Sequence, residues 1–187
     1  MSYEHHSKHS IIFLAGFMGS GKSTVGPILA NTLGFEFIDL DAVLEQQENM
    51  KITEIFKKFG EARFREMERV TVREFGIGRR LVVALGGGTP VHQPTLDEIL
   101  RRGVLVYLQS TPPFIYQRLR TKTNRPMLLQ PDGSTMGEEQ LLGHIEMLLA
   151  KRTPFYEQAQ ITISIDGRRV GQTVDTIVKE LRGHVDF

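Results

Sequence analysis

At 187 residues the chain is long enough for one domain with a real core, and with 40% hydrophobic residues and a net charge of +1 it reads as an ordinary soluble protein. That balance carries neither a nucleic-acid footprint nor a basic membrane face, and no apolar stretch approaches membrane-spanning length. With no cysteine, the chemistry excludes disulfides, thiolate nucleophiles and cysteine-held metals, and the chain is read as cytoplasmic.

Residues 1–10 carry His5, His6 and His9 but no signal-peptide core, and are expected to be a disordered leader ahead of a single domain over 11–187. From 11 to 15 an apolar run reads as a strand, and it stops at a glycine-rich turn: Gly16, four residues, then Gly21, Lys22 and Ser23. This is the P-loop spacing, between a strand and a helix. Its glycines let backbone N–H groups converge on one anion at a helix N-terminus. Gly19, Ser20, Gly21, Lys22, Ser23 and Thr24 are therefore candidate nucleotide-binding residues, with Lys22 reaching the β- and γ-phosphates and Ser23 ligating Mg²⁺. ATP and Mg²⁺ are the implied co-substrate and metal.

The first helix is expected over 22–33 with Gly34 as its C-cap, kinked or loosened by Pro27, and with Ile28, Leu29 and Leu33 in the core. A second strand over 35–39 ends in Asp39-Leu40-Asp41, whose alternate spacing would put both carboxylates on one side of an extended chain. One of them could instead cap the helix expected over 42–48. A third strand over 81–85 ends without an acid, so the carboxylate on the magnesium side is assigned to Asp39. Between these strands, 52–77 is helical by period with a break near Gly60, and Arg65 and Glu68 share a helix face. A surface ion pair is the plain reading of that pair, and core packing that of Phe56 and Phe64.

Gly86-Gly87-Gly88 follows the third strand directly, and three glycines forfeit chain entropy with no packing return. They suggest backbone lying against a ligand, with a tight strand-to-helix turn as the alternative. Further strands are expected over 104–108 and 161–165, making a five-stranded parallel sheet in a three-layer α/β sandwich. A helix from 112 brings Arg118 and Arg120 to its end. The polar stretch 121–137, which includes Arg125 and Pro126, reads as a mobile lid that keeps water from the phosphoryl group. Taken alone, its arginines read as solvated surface. Helices are expected over 138–150, ahead of Lys151-Arg152, and over 173–181.

The P-loop, the Asp39 and Asp41 pair, Phe64-Arg65 with Glu68, the triple glycine, Arg125-Pro126 and Lys151-Arg152 together resemble the shikimate kinase family over about residues 11–181. The resemblance implies a P-loop kinase fold and transfer of the ATP γ-phosphoryl group to the 3-hydroxyl of shikimate. It implies that Asp41 orients or deprotonates that hydroxyl, that Asp39 and Ser23 hold Mg²⁺, and that Arg65 and Arg152 clamp the substrate carboxylate. Gly86, Gly87 and Gly88 would line the substrate, Glu68 would hold Arg65 and reach a hydroxyl, and Phe56 and Phe64 would wall the pocket. Arg125 would close with the lid and join Lys22 in neutralising charge, while Arg118 would stack on adenine. The stretch 166–171 lacks the proline the family often has in its adenine loop, and Arg169 there is a separate candidate for nucleotide binding. A related small-molecule kinase, such as one acting on gluconate, and a non-enzymatic ATP-binding sensor remain open. A monomer with no nucleic-acid or membrane partner is expected.

Overall fold

A computed structural model describes residues 10–76, 78–120 and 136–185. His5, His6, His9, Arg125 and most of the expected lid fall outside these described residues.

Strand β1 (Ile11–Ala15) is the centre of the sheet, and its five apolar residues are all buried because both faces are covered. Alternation sorts them: Ile11, Phe13 and Ala15 pack toward one helical layer, Ile12 and Leu14 toward the other. Around it stand β2 (Glu36–Asp39), β3 (Leu81–Ala84), β4 (Val104–Gln109) and β5 (Ile161–Ser164) in the order β2-β3-β1-β4-β5. Every pairing is parallel, as strands joined by helical crossovers require. The expected three-layer sandwich is what forms. Ser10 belongs to it rather than to a leader, since its carbonyl accepts the Leu81 N–H at 3.0 Å.

One layer contains α1 (Lys22–Leu33) and α7 (Val170–Leu181), with Leu29 and Ile177 fully buried against the sheet. The opposite layer contains α2 (Leu40–Glu48), α3 (Ile52–Glu74) and α4 (Gln93–Arg102), contributing Leu44, Phe64 and Leu96. Helix α4, preceded by a 3₁₀ turn at Thr89–Val91, was not among the expected elements. A smaller cluster joins Phe17 of the P-loop to Ile115 and Leu119 of α5 (Pro112–Leu119) and to Leu141 and Ile145 of α6 (Glu138–Tyr156). It seats the phosphate loop on the two helices flanking 121–135.

Several local expectations need correction. Helix α1 runs unbroken through Pro27, which is exposed in the second turn, where the one missing N–H leaves only a carbonyl that water can reach. Ile28 is exposed, not core. The break at Gly60 is present, with φ 77° and ψ 170°, conformational space suited to glycine. Helix α6 continues past 150 and through Pro154 for its last turn, and α7 begins at Val170 rather than 173.

Candidate functional site

The P-loop, the end of β2 and the triple glycine all leave the same carboxyl edge of the sheet, where ligands collect in open α/β folds. They enclose a cavity of about 450 Å³ lined by Gly19, Gly21, Lys22, Ser23, Thr24, Asp39, Asp41, Gly86, Gly87 and Arg118, together with Met18, Ala84 and Leu85.

The loop curls through three positive-φ glycines, Gly16 at 146°, Gly19 at 82° and Gly21 at 108°, which an L side chain would strain. Among the described residues, the amides of Gly19, Gly21 and Ser23 meet no backbone acceptor, the ordinary condition of a helix N-terminus built to hold an anion. Lys22 lies across the loop, donating from Nζ to Gly16 O at 2.7 Å and Phe17 O at 3.2 Å. Ser20 is buried within the loop and does not line the cavity.

Asp39 and Asp41 meet at the cavity by a different route from the expected extended spacing. Helix α2 starts at Leu40, so Asp39 is its N-cap and Asp41 sits in its first turn. Asp39 Oδ1 accepts from the Asp41 amide at 3.1 Å and the Ala42 amide at 3.4 Å. Capping and cavity lining are both true of Asp39, because the cap fixes one oxygen and leaves Oδ2 without a described partner. Burial holds the Asp41 carboxyl above the usual aspartate range; the charge of Asp39 pushes the same way, against Lys22 and Arg65.

Ser23 and Asp39 supply a hydroxyl and a carboxylate to one cavity, hard oxygen donors that suit Mg²⁺ beside phosphates. Among the described residues there is no group of three acidic or histidine side chains that could hold a metal by itself. The set fits a metal that arrives with a nucleotide.

Next to the triple glycine, though not among the residues lining the cavity, stands an ion pair. Arg65 donates to Glu68 at 2.8 Å and to Glu61 at 3.1 Å, and the Glu68 side chain is 0% exposed. This is no surface pair. Burial raises the Glu68 carboxyl above the usual range, and the opposing pull of Arg65 and of the Thr89 hydroxyl, which donates to Oε1, does not reverse it. Phe56 and Phe64 lie beneath the guanidinium, with ring centroids 4.3 Å apart and Arg65 Cζ at 5.8 and 5.4 Å from them.

The triple glycine is where these side chains converge. A Cβ at Gly86 would lie 2.9 Å from Asp41 Oδ1, one at Gly88 2.5 Å from Arg65 Nη2, and one at Gly87 3.3 Å from Arg152 Nη1. No side chain fits at 86 or 88 without displacing Asp41 or Arg65. Arg152, near the end of α6, lies over Phe17 at 5.2 Å and donates to Gly87 O at 3.3 Å, so it reaches the same wall from a second helix. On the P-loop side, Arg118 lines the cavity, donates to Gly19 O at 3.0 Å and covers the Phe114 ring at 4.5 Å. Arg169 is exposed at the head of α7 and is not among the cavity-lining residues.

Sequence reasoning missed Thr89 and Tyr156. Tyr156 donates its hydroxyl to Gly87 O, and it follows Arg152 by four residues in α6. That helical spacing was the available signal, hidden by ending the helix before Pro154.

A family model described as shikimate kinase matches residues 18–182. The chain belongs to the shikimate kinase family. A shikimate kinase of Chlorobaculum parvum is 44% identical over 177 residues, spanning 95% of each protein. Among solved structures, shikimate kinase from Acinetobacter baumannii in complex with shikimate matches with a TM-score of 0.81 at 33% identity, covering 92% of this chain and 93% of that one. A gluconokinase from Sinorhizobium meliloti shares the architecture at a TM-score of 0.52 and 20% identity, which is a likeness of fold alone. Shikimate kinase membership thus accounts for the P-loop kinase sheet order, and no helix among the described residues is long and apolar enough to cross a membrane.

Proposed function

We propose that the protein transfers the γ-phosphoryl group of ATP to the 3-hydroxyl of shikimate, giving shikimate 3-phosphate and ADP. The observation that carries this reading is the convergence of Asp41, Arg65 and Arg152 on Gly86-Gly87-Gly88, directly across the cavity edge from the P-loop. A hydroxyl acceptor needs a carboxylate to orient it, and a carboxylated acceptor needs planar cations to hold it.

The P-loop amides and Lys22 bind the β- and γ-phosphates, with Thr24 at the loop's end. Ser23 and Asp39 would hold Mg²⁺. When bound with ATP, the metal would supply charge neutralisation for the phosphates. Asp41, held above the usual aspartate range by burial, accepts the hydroxyl proton as the substrate oxygen bonds to γ-phosphorus and the bond to the ADP oxygen breaks. Little covalent chemistry is asked of the chain, whose main task is in-line positioning.

Arg65 and Arg152 clamp the substrate carboxylate, Glu68 holds Arg65 in place, and Phe56 and Phe64 wall the pocket. Arg118 presents its guanidinium to the adenine. The family resemblance adds Arg125, outside the described residues, as a cation closing over the transferring group, with 121–137 as lid. Arg169 assists the nucleotide from the head of α7. The protein acts as a cytoplasmic monomer, and its metal is Mg²⁺.

The test is ADP release with a panel of hydroxy acids containing shikimate and gluconate. Shikimate alone should stimulate turnover, and chelating the metal should abolish it. Stimulation by gluconate, or ADP release indifferent to every acceptor, would remove this reading.

A further inference from the structure

Tyr156 is fully buried, yet its hydroxyl reaches the backbone of the substrate wall, donating to Gly87 O. Its ring packs against Tyr107 of β4 at a centroid distance of 5.0 Å, so the hydroxyl is aimed by two rigid elements, α6 and the sheet. The second donor to the same carbonyl is Arg152, at 3.3 Å.

In a trans peptide the carbonyl and the following N–H point in opposite directions. A carbonyl of Gly87 held toward α6 therefore turns the Gly88 N–H away from α6. That amide meets no acceptor among the described residues, and Gly88 itself lies against the Arg65 guanidinium. Glycine on both sides of this peptide gives it no intrinsic preference for that orientation. Something must hold it. Arg152 cannot hold it continuously if its guanidinium turns to a substrate carboxylate, whereas the tyrosine hydroxyl, which also meets the Arg152 side chain, directs its own proton at the Gly87 carbonyl.

We propose that Tyr156 is a positioning residue that locks the Gly87–Gly88 peptide with the Gly88 N–H presented to the acceptor substrate. Burial pushes the phenol up to about 12, so it keeps its proton and remains a donor across the working range. The inference rests on the proposed shikimate site, because only an acceptor bound at the triple glycine would feel the orientation of this peptide.

The variant Tyr156→Phe removes the hydroxyl and keeps the ring. It should raise the KM for shikimate by roughly tenfold, the worth of about one hydrogen bond, while the KM for ATP stays within about twofold. A merely structural hydroxyl would lower the melting temperature and leave the two KM values in their wild-type ratio, and that outcome overturns the proposal. Should the variant not fold, the wild-type Gly88 amide, followed by ¹⁵N NMR, must shift and gain exchange protection when shikimate is added. An unresponsive amide also overturns it. If the wild-type protein does not phosphorylate shikimate at all, the underlying reading fails first, and the two failures are told apart.

Discussion

Arg65 and Glu68 form a 2.8 Å ion pair across one turn of α3 in which the carboxylate is wholly buried and the guanidinium is 15% exposed. A buried charge is tolerated only when its partners are present, and Glu68 has two: the Arg65 guanidinium and the Thr89 hydroxyl. The pair is thus a mount. It fixes the guanidinium against Gly88.

Removing the mount should be felt in stability and in acceptor binding together. Glu68→Ala is expected to cost about 3 kcal/mol, because it takes the buried one of two carboxylates from the Arg65 guanidinium and leaves the Thr89 hydroxyl without its acceptor, and to lower Tm by roughly 6–12 °C at this chain length. The KM for shikimate should rise while ATP affinity holds. Calorimetry and steady-state kinetics on one preparation check this, and a variant as stable as wild type would show that the pair does not serve as a support.

Gly88→Ala puts a methyl 2.5 Å from Arg65 Nη2, closer than atoms can approach. The guanidinium must move, so KM for the acceptor should increase by about tenfold or more, on the scale of a lost charge-assisted hydrogen bond. ATP binding, measured by calorimetric titration, should be unchanged. Wild-type kinetics in this variant would mean that Arg65 is not held at the glycine.

Asp41→Asn should reduce kcat by about 10²–10⁴-fold, the usual contribution of a positioned base, with ATP binding retained. The same substitution should raise stability at pH values above the ordinary carboxylate range. Burial gives Asp41 a higher folded than unfolded proton affinity, so the stability linked to this carboxyl is full at low pH and is lost as pH rises through its folded value. Asparagine removes that loss. Thermal melts across pH test the sign, with a gain confined to pH values above the ordinary carboxylate range. In a companion variant, Asp39→Asn, the Asp41 titration followed by NMR should move down, since the neighbouring negative charge is a cause of its elevation. An upward or absent shift would contradict the electrostatic account.

Much of this site was legible in the chain. The P-loop spacing, Asp39 and Asp41, and Gly86 to Gly88 each lie at the end of a strand, and strand ends can be read from apolar runs bounded by glycine or acid. What could not be read is what tertiary packing decides. Whether Arg65 and Glu68 are a surface pair or a buried one depends on Thr89 and the layer that α3 packs into, neither of which has a local signal in α3. Helix α6 was cut short because proline usually ends a helix, whereas the burial of Tyr156 against Tyr107 carries it one turn further. Asp39 and Asp41 both line the cavity, but not through extended spacing: the helix begins between them, and the cap brings both there.

Lys22→Ala removes the one P-loop side chain expected to reach the transferring phosphate. A loss of about 10²–10³-fold or more in kcat is expected for losing such a preorganised donor, with little change in Tm because the lysine is only half-buried. Turnover at the wild-type rate would disconnect the loop from phosphoryl transfer.

The most direct measurement is the identity of the product. Wild-type protein with ATP, Mg²⁺ and shikimate, followed by ³¹P NMR, should form a phosphate monoester on the 3-oxygen of shikimate at the same rate as ADP. Equal ATP consumption with and without shikimate, or inorganic phosphate in place of the ester, would contradict the account.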